Sequence, residues 1–310
     1  MNPVAASYLR LSDDELADRV GEALGRLANC DLCPRLCGVD RTAGELGYCQ
    51  SGRLARVASW HAHMWEEPPI SGWQGSGTVF LSNCTARCMF CQNYPISQMG
   101  VGAERSAEQL ANLMLRLQRQ GCHNINLVTP THWVPQILEA LAIARQKGLV
   151  LPLLYNTSGY DRPQTLRLLE GIVDIYLPDS KYADNDAAQR LSGYVKYVES
   201  NRAALLEMVR QVGPALIMDK DGLAYRGIVI RHLVLPNGLS QTPDVLRWLK
   251  ENLGQGLYVS LMAQYFPAHR AVGDTALGRR LRRDEYDEAV AALHALGFEN
   301  GWQQELSVDY

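Results

Sequence analysis

No run of apolar residues in this sequence approaches the roughly 18 that a membrane-crossing helix needs, so no membrane partner is expected. Nor is there an excess of positive charge. Lys plus Arg number 30 against 33 Asp plus Glu, a formal net charge of −3 over 310 residues. That balance argues against nucleic acid as a partner. The one dense basic run, Arg279-Arg280-Leu281-Arg282-Arg283, meets Asp284 and Glu285 at once and reads as a loop leading into a helix. Met1 to Asp14 has no basic segment leading into an apolar one, which predicts no export signal and a cytoplasmic protein. Internal repeats and low-complexity tracts are missing too, so collagen-like, coiled-coil and disordered classes are excluded. With 47% apolar and 20% charged residues, the chain reads as globular and long enough to bury a substantial core.

What the sequence does have is clustered cysteine. Seven of its eight cysteines fall in two tight groups. In a reducing compartment such clusters point to metal or redox chemistry rather than to disulfides. Cys122 stands alone and is expected to be a buried, inert thiol. The second group, Cys84-Thr-Ala-Arg-Cys88-Met-Phe-Cys91, has C-x3-C-x2-C spacing. A complete [4Fe–4S] site has one thiolate per iron, so three cysteines would leave one iron open to a substrate or cofactor. The same spacing also suits zinc with a fourth ligand elsewhere. The first group, Cys30, Cys33, Cys37 and Cys49, offers four thiolates in 20 residues. That is full ligation for structural zinc or for an auxiliary [4Fe–4S] cluster, and both metals favour sulfur.

The pattern around them is α/β. Ser12-Asp-Asp-Glu15 is a capping box opening an amphipathic helix to about Leu27. Residues 30–75, rich in Cys, Gly and Pro, read as a loop-rich module, giving an N-terminal unit over 1–75 and a main unit over 76–310. Strand-like runs follow at Thr78–Ser82, Ile125–Thr129, Leu151–Asn156, Val173–Leu177, Gly227–Leu235 and Leu257–Ala263. Helical runs alternate with them, at Ala107–Gln120, Trp133–Lys147, Arg162–Glu170, Asn201–Val212, Thr242–Asn252 and Asp284–Leu296. Six βα units predict an open, curved parallel sheet, with the triad on the loop after its first main strand.

A C-x3-C-x2-C triad after a first strand, with Phe90 just before the last cysteine, resembles the radical S-adenosylmethionine (SAM) superfamily. The flanking words Trp65-Glu-Glu-Pro-Pro-Ile-Ser-Gly72 and Cys91-Gln-Asn-Tyr-Pro-Ile-Ser-Gln98 are similar to the branch related to pyruvate formate-lyase activating enzymes. The resemblance implies a partial (β/α)6 TIM-like barrel, a [4Fe–4S] cluster on Cys84, Cys88 and Cys91, and S-adenosyl-L-methionine as cofactor. It implies an oxidoreductase that cleaves SAM to methionine and a 5′-deoxyadenosyl radical, which abstracts hydrogen from a substrate. It also implies a low-potential electron donor such as flavodoxin or ferredoxin, and a glycyl-radical enzyme as protein substrate. Matched residue by residue, Phe90 packs near the adenine. Asn156, in Leu154-Tyr-Asn-Thr-Ser-Gly159, stands where relatives place an Asp that meets the cofactor. Asp179 and Lys181, in Pro178-Asp-Ser-Lys181, bind ribose, cofactor carboxylate or substrate, and Arg231 is a buried candidate for the same work. Thr129-Pro-Thr131 departs from the relatives' Gly-Gly-Glu segment. His61 and His63 share a face if their stretch is a strand. Two further readings compete: a two-site zinc scaffold without catalysis, and a radical SAM enzyme acting on a small molecule, peptide or RNA.

Overall fold

The computed structural model describes residues 5–254 and 256–306. Ten strands form one sheet: β1 (Ala55–His63), β2 (Ser76–Leu81), β3 (Ala103–Arg105), β4 (Ile125–Val128), β5 (Leu153–Thr157), β6 (Ile175–Pro178), β7 (Ile217–Met218), β8 (Ala224–Leu233), β9 (Tyr258–Met262) and β10 (Asn300–Gln303). Their order is β10-β9-β8-β6-β5-β4-β2-β1-β3, with β7 paired to β8 alone. From β2 to β10 the path is parallel throughout, as six alternating βα units predict. The path ends at two free edges, so the barrel is open.

Four strands were hidden from the sequence pattern: the short β3 and β7, and two longer ones, β10 and β1. β10 extends the parallel run by one, because Asn300-Gly-Trp-Gln303 has no alternation to mark it. β1 lies inside the stretch expected to be loop and runs antiparallel to β2, so the sheet begins at residue 55 rather than at 76. The expected helix over 162–170 is one short turn, Pro163–Leu166, and a 3₁₀ turn. Asn185–Ser192 forms a helix the periodicity did not mark.

Alternation along the strands builds two faces. Leu153 and Tyr155, Tyr176, Ile228 and Ile230, and Val259 and Leu261 face the helices and form the main core. The helix Ala107–Arg119 is anchored there by Leu110, Met114 and Leu117, and begins with a capping box from Ser106 and Gln109. Leu154, Ile175, Leu177 and Val229 face the barrel interior and close around Ile70. Ile70 is fully buried. It comes from the segment after β1, which crosses the N-terminal end of the parallel strands. Asn124 Nδ2, just before β4, donates to the Ile70 carbonyl at 2.8 Å. The Trp65–Gly72 segment therefore closes the floor of the barrel and does not cover its mouth. Gly72 (φ +50°) permits the turn, since a Cβ there would lie 2.4 Å from Leu223.

Candidate active site and metal centres

The triad loop leaves the C-terminal end of β2. Asn83 starts it in the left-handed region (φ 69°), and its Nδ2 donates to the Gln50 carbonyl at 2.8 Å. Three separate parts of the chain hold the loop. Arg87 and Met89 donate their amides to the Ser192 and Leu191 carbonyls. Gln98 Nε2 donates to the Cys88 carbonyl at 2.9 Å, and Gln92 Nε2 to the Gln264 carbonyl at 3.0 Å. The three thiols are half-buried, and Cys84 and Cys88 pack against an aromatic cluster that includes Phe90, Tyr160, Tyr194 and Tyr265. Burial first, and the Cys88 thiol second, push the Cys84 thiol up to about 12; burial pushes Cys88 up to about 11 against the pull of Lys181. Thiols held this way lose their protons to a metal rather than to water. The set fits a soft, thiolate-binding group enclosed by apolar walls.

Beside the loop lies a cavity of about 730 Å³. Asn156, Asp179, Lys181 and Arg231 all line it, as does Asn93 from the triad loop. Lys181 Nζ bonds Asp179 Oδ2 at 2.5 Å. Burial alone would lower the Lys181 pKa, but Asp179 outweighs it and holds the ammonium charged. Phe90 is 7% exposed, meets Tyr265 edge-to-face at 5.8 Å and is not among the lining residues. Arg231 is already committed: its Nε and Nη2 fork onto both oxygens of Glu67, at 2.8 and 2.6 Å, and its Nη2 also meets Glu66. These two carboxylates, on the floor segment 164 or more residues away, were not legible from local sequence. A buried arginine inside a strand does call for a carboxylate partner, and that was the available signal.

The Pro178-Asp-Ser-Lys181 turn is gripped from behind by Asn201 and Tyr197, which the sequence did not single out, and by His232, the strand neighbour of Arg231. Asn201 Nδ2 donates to the Asp179 carbonyl at 2.9 Å and Tyr197 Oη accepts from the Lys181 amide at 2.9 Å. His232 Nδ1 meets the Ser180 carbonyl at 2.6 Å while its Nε2 meets Thr242 Oγ1 at 2.8 Å. This arrangement suits a neutral ring, and burial takes the His232 pKa down to about 4. Gly159 (φ +71°) lets the β5 loop press on this turn, because a Cβ there would lie 2.2 Å from the Asp179 carbonyl oxygen. At the end of β4, Thr131 turns away from the cavity. Its hydroxyl joins those of Tyr155 and Thr157 on the buried Asp161 carboxylate, at 2.6–2.9 Å. His61 and His63 do share a face of β1, and both rings pack on Phe80. Cys122 is 3% exposed within the main core, as expected.

The N-terminal cysteines lie against the back of the triad loop. Cys30, Cys33 and Cys49 are buried and Cys37 is exposed. Burial, and then the neighbouring Cys49, Cys30 and Cys37 thiols, push Cys33 up to about 12. The backbone folds around them, with the Gly38 amide on the Cys30 carbonyl at 3.0 Å and the Leu36 amide on the Cys33 carbonyl at 3.1 Å. Gly47 approaches so closely that a Cβ would lie 2.6 Å from Cys37 Sγ. Among the described residues, no three His, Cys, Asp or Glu side chains converge as ligands of one ion.

Residues 78–219, which span the triad, β4 to β6 and the Asp179–Lys181 turn, match the family model of the Radical SAM superfamily. Over that stretch the chain is similar to the radical SAM superfamily. Uncharacterized protein MJ0674 of Methanocaldococcus jannaschii is 28% identical over 272 residues, 84% of this chain and 73% of that protein. Among solved structures, HydG, a maturase of the [FeFe]-hydrogenase, superposes with a TM-score of 0.50 at 9% identity, over 95% of this chain and 64% of the HydG chain. A radical SAM methyltransferase from Sphaerobacter thermophilus gives 0.49 at 16% identity, over 73% of this chain and 65% of its own. The chain thus spans just under two thirds of either solved protein, and at these identities the HydG likeness concerns the fold. The family matched by residues 78–219 implies a [4Fe–4S] cluster and SAM. No helix among the described residues is long and apolar enough to cross a membrane.

Proposed function

We propose that Cys84, Cys88 and Cys91 hold the cluster and that SAM lies between the triad loop and the Asn156, Asp179 and Lys181 side chains. When bound, the cluster and SAM supply a 5′-deoxyadenosyl radical able to remove hydrogen from an unactivated C–H bond. The observation that carries the reading is Lys181: it lines the cavity beside the triad and pairs with Asp179. A fixed ammonium suits the cofactor carboxylate, the Asp179 carboxylate suits its ribose hydroxyls or ammonium, and the Asn156 amide oxygen suits an ammonium. The aromatic cluster around Cys84 and Cys88 keeps water from the reacting centre. A low-potential donor such as flavodoxin or ferredoxin supplies the electron.

The substrate reaches this site from the triad side, since the floor is closed by Glu66 to Ile70. A small molecule bound in the cavity is the first reading. A glycine-bearing loop of a protein substrate, as in activating enzymes, is the second, and the words around Trp65 and Tyr94 favour it.

The N-terminal quartet we propose as a second thiolate-bound centre, zinc or [4Fe–4S], on an argument from charge. Three arginines stand about the two cysteine groups and, among the described residues, none pairs with a carboxylate. Arg41, 1% exposed, donates to the Gly52 carbonyl at 2.7 and 3.2 Å and to the His132 carbonyl at 2.8 Å. Arg35 donates to the Thr85 and Gly193 carbonyls at 2.8 and 2.5 Å and lies over the Tyr48 ring. Arg87 donates to the Tyr48 and Cys84 carbonyls at 2.6 and 2.9 Å. A buried charge is costly unless countered. Four thiolates on a divalent ion or cubane leave a charge of about −2, and three on a cubane about −1, which together match the three guanidiniums.

Reduced anaerobically with SAM, the reconstituted protein is expected to release 5′-deoxyadenosine and Cys88→Ala to release none. Undiminished cleavage in Cys88→Ala would overturn the ligand assignment.

A further inference from the structure

The floor of the cavity holds more negative charge than it neutralises. Glu67 takes both arms of the Arg231 fork, which leaves Glu66 to share one guanidinium nitrogen already in use. Both side chains are buried, Glu66 to 8% and Glu67 to 6% exposure. No second cation forms an ion pair with Glu66 among the described residues. Its other partner is Asn126, whose Nδ2 donates at 2.8 Å. Asn126 is itself wholly buried, and its Oδ1 has no donor. Glu66 lines the cavity and Asn126 behind it does not, so the carboxylate with its half-share of one guanidinium nitrogen is the acceptor a ligand can reach. Buried acceptors of this kind are costly unless a ligand supplies the donors.

The walls above point the same way. Trp65, Phe80, Trp302 and His63 present aromatic surface to this cavity, and Met262 adds an apolar, polarisable one. Carboxylate below and aromatic faces around are how proteins bind organic cations. A substrate anion would meet three carboxylates, Glu66, Glu67 and Asp179, against two cations that are both already paired.

We infer that the radical SAM site takes a substrate bearing an amine or guanidinium on a small apolar body, its cationic end on Glu66 at the cavity floor and its apolar body among the Trp65, Phe80 and Trp302 rings. The inference rests on the radical SAM reading and deepens it to a substrate class. The cationic end would be anchored at the floor, so the carbon presented toward the triad belongs to the body of the molecule.

The test uses the reconstituted enzyme saturated with SAM and two probes of similar size, 2-phenylethylamine and 3-phenylpropionate, titrated by anaerobic calorimetry. The amine is expected to bind and the carboxylate not. Glu66→Gln should weaken amine binding at least tenfold and leave SAM binding unchanged. Trp65→Ala, at a side chain 87% exposed that folding does not need, should weaken it severalfold. Equal binding of the carboxylate, amine binding that survives both substitutions, or displacement of SAM by the amine would each overturn the inference. A failure of the radical SAM reading shows separately, as wild-type protein that neither binds nor cleaves SAM.

Discussion

The two cysteine groups are close neighbours built on opposite plans. The triad loop is held by what surrounds it: the C-terminal end of the Asn185–Ser192 helix and Gln98 bond its backbone, the Gln264 carbonyl accepts from the Gln92 side chain, and an aromatic cluster packs its thiols. The quartet is held by its own chain, through short amide–carbonyl bonds between Cys30, Cys33 and their near neighbours. The difference suits the tasks we propose for them. A site that keeps one position open must have its shape fixed from outside, whereas a fully ligated site is closed by its metal. The arginine layer joins the two, with Arg35 reaching from the quartet to Thr85 and Arg87 reaching back to Tyr48.

That comparison can be broken first at Arg41. If its charge answers an anionic centre, Arg41→Met should destabilise the metal-loaded protein by about 3 kcal/mol more than the metal-free protein. Thermal and denaturant unfolding of both forms measures this. An equal loss in both forms would mean that the carbonyls of Gly52 and His132, and not a metal centre, are what Arg41 serves.

The second contrast is in pH. In both groups burial raises thiol pKa values, so metal binding must displace protons that the free site holds throughout the neutral range. Binding therefore strengthens as pH rises and weakens as it falls. Every ligating thiol gives up a proton on binding, four at the quartet against three at the triad, so chelator-driven metal loss between pH 8 and 6 should depend more steeply on pH at the quartet. The cluster's visible absorbance and the metal released would record it. An equal or shallower pH dependence at the quartet would contradict this difference.

The triad was legible because its signal is local: three cysteines in eight residues behind an apolar run. The parallel strands were legible for the same reason. β1 was not, because cysteines and glycines on either side mask its pattern, and β10 was not, because Asn300 and Gly301 carry no strand preference. The cavity was half legible. Asn156, Asp179, Lys181 and Arg231 could each be placed at the inward-facing end of a strand. Glu66 and Glu67 could not, because their role exists only once the chain has brought the segment after β1 beneath β8. Phe90, a motif residue, packs its ring edge-to-face on Tyr265.

The central claim is that this chain carries two separate thiolate centres and uses one of them to cleave SAM. Counting iron, sulfide and zinc in anaerobically reconstituted wild type and Cys33→Ala, with 5′-deoxyadenosine measured in both, tests it most directly. The account predicts about four irons at the triad plus one zinc or about four more irons in the wild type. Cys33→Ala should lose only the second set and still form 5′-deoxyadenosine. A folded Cys33→Ala protein that loses the triad's iron, or a wild type with zinc at both sites and no cofactor cleavage, would contradict it.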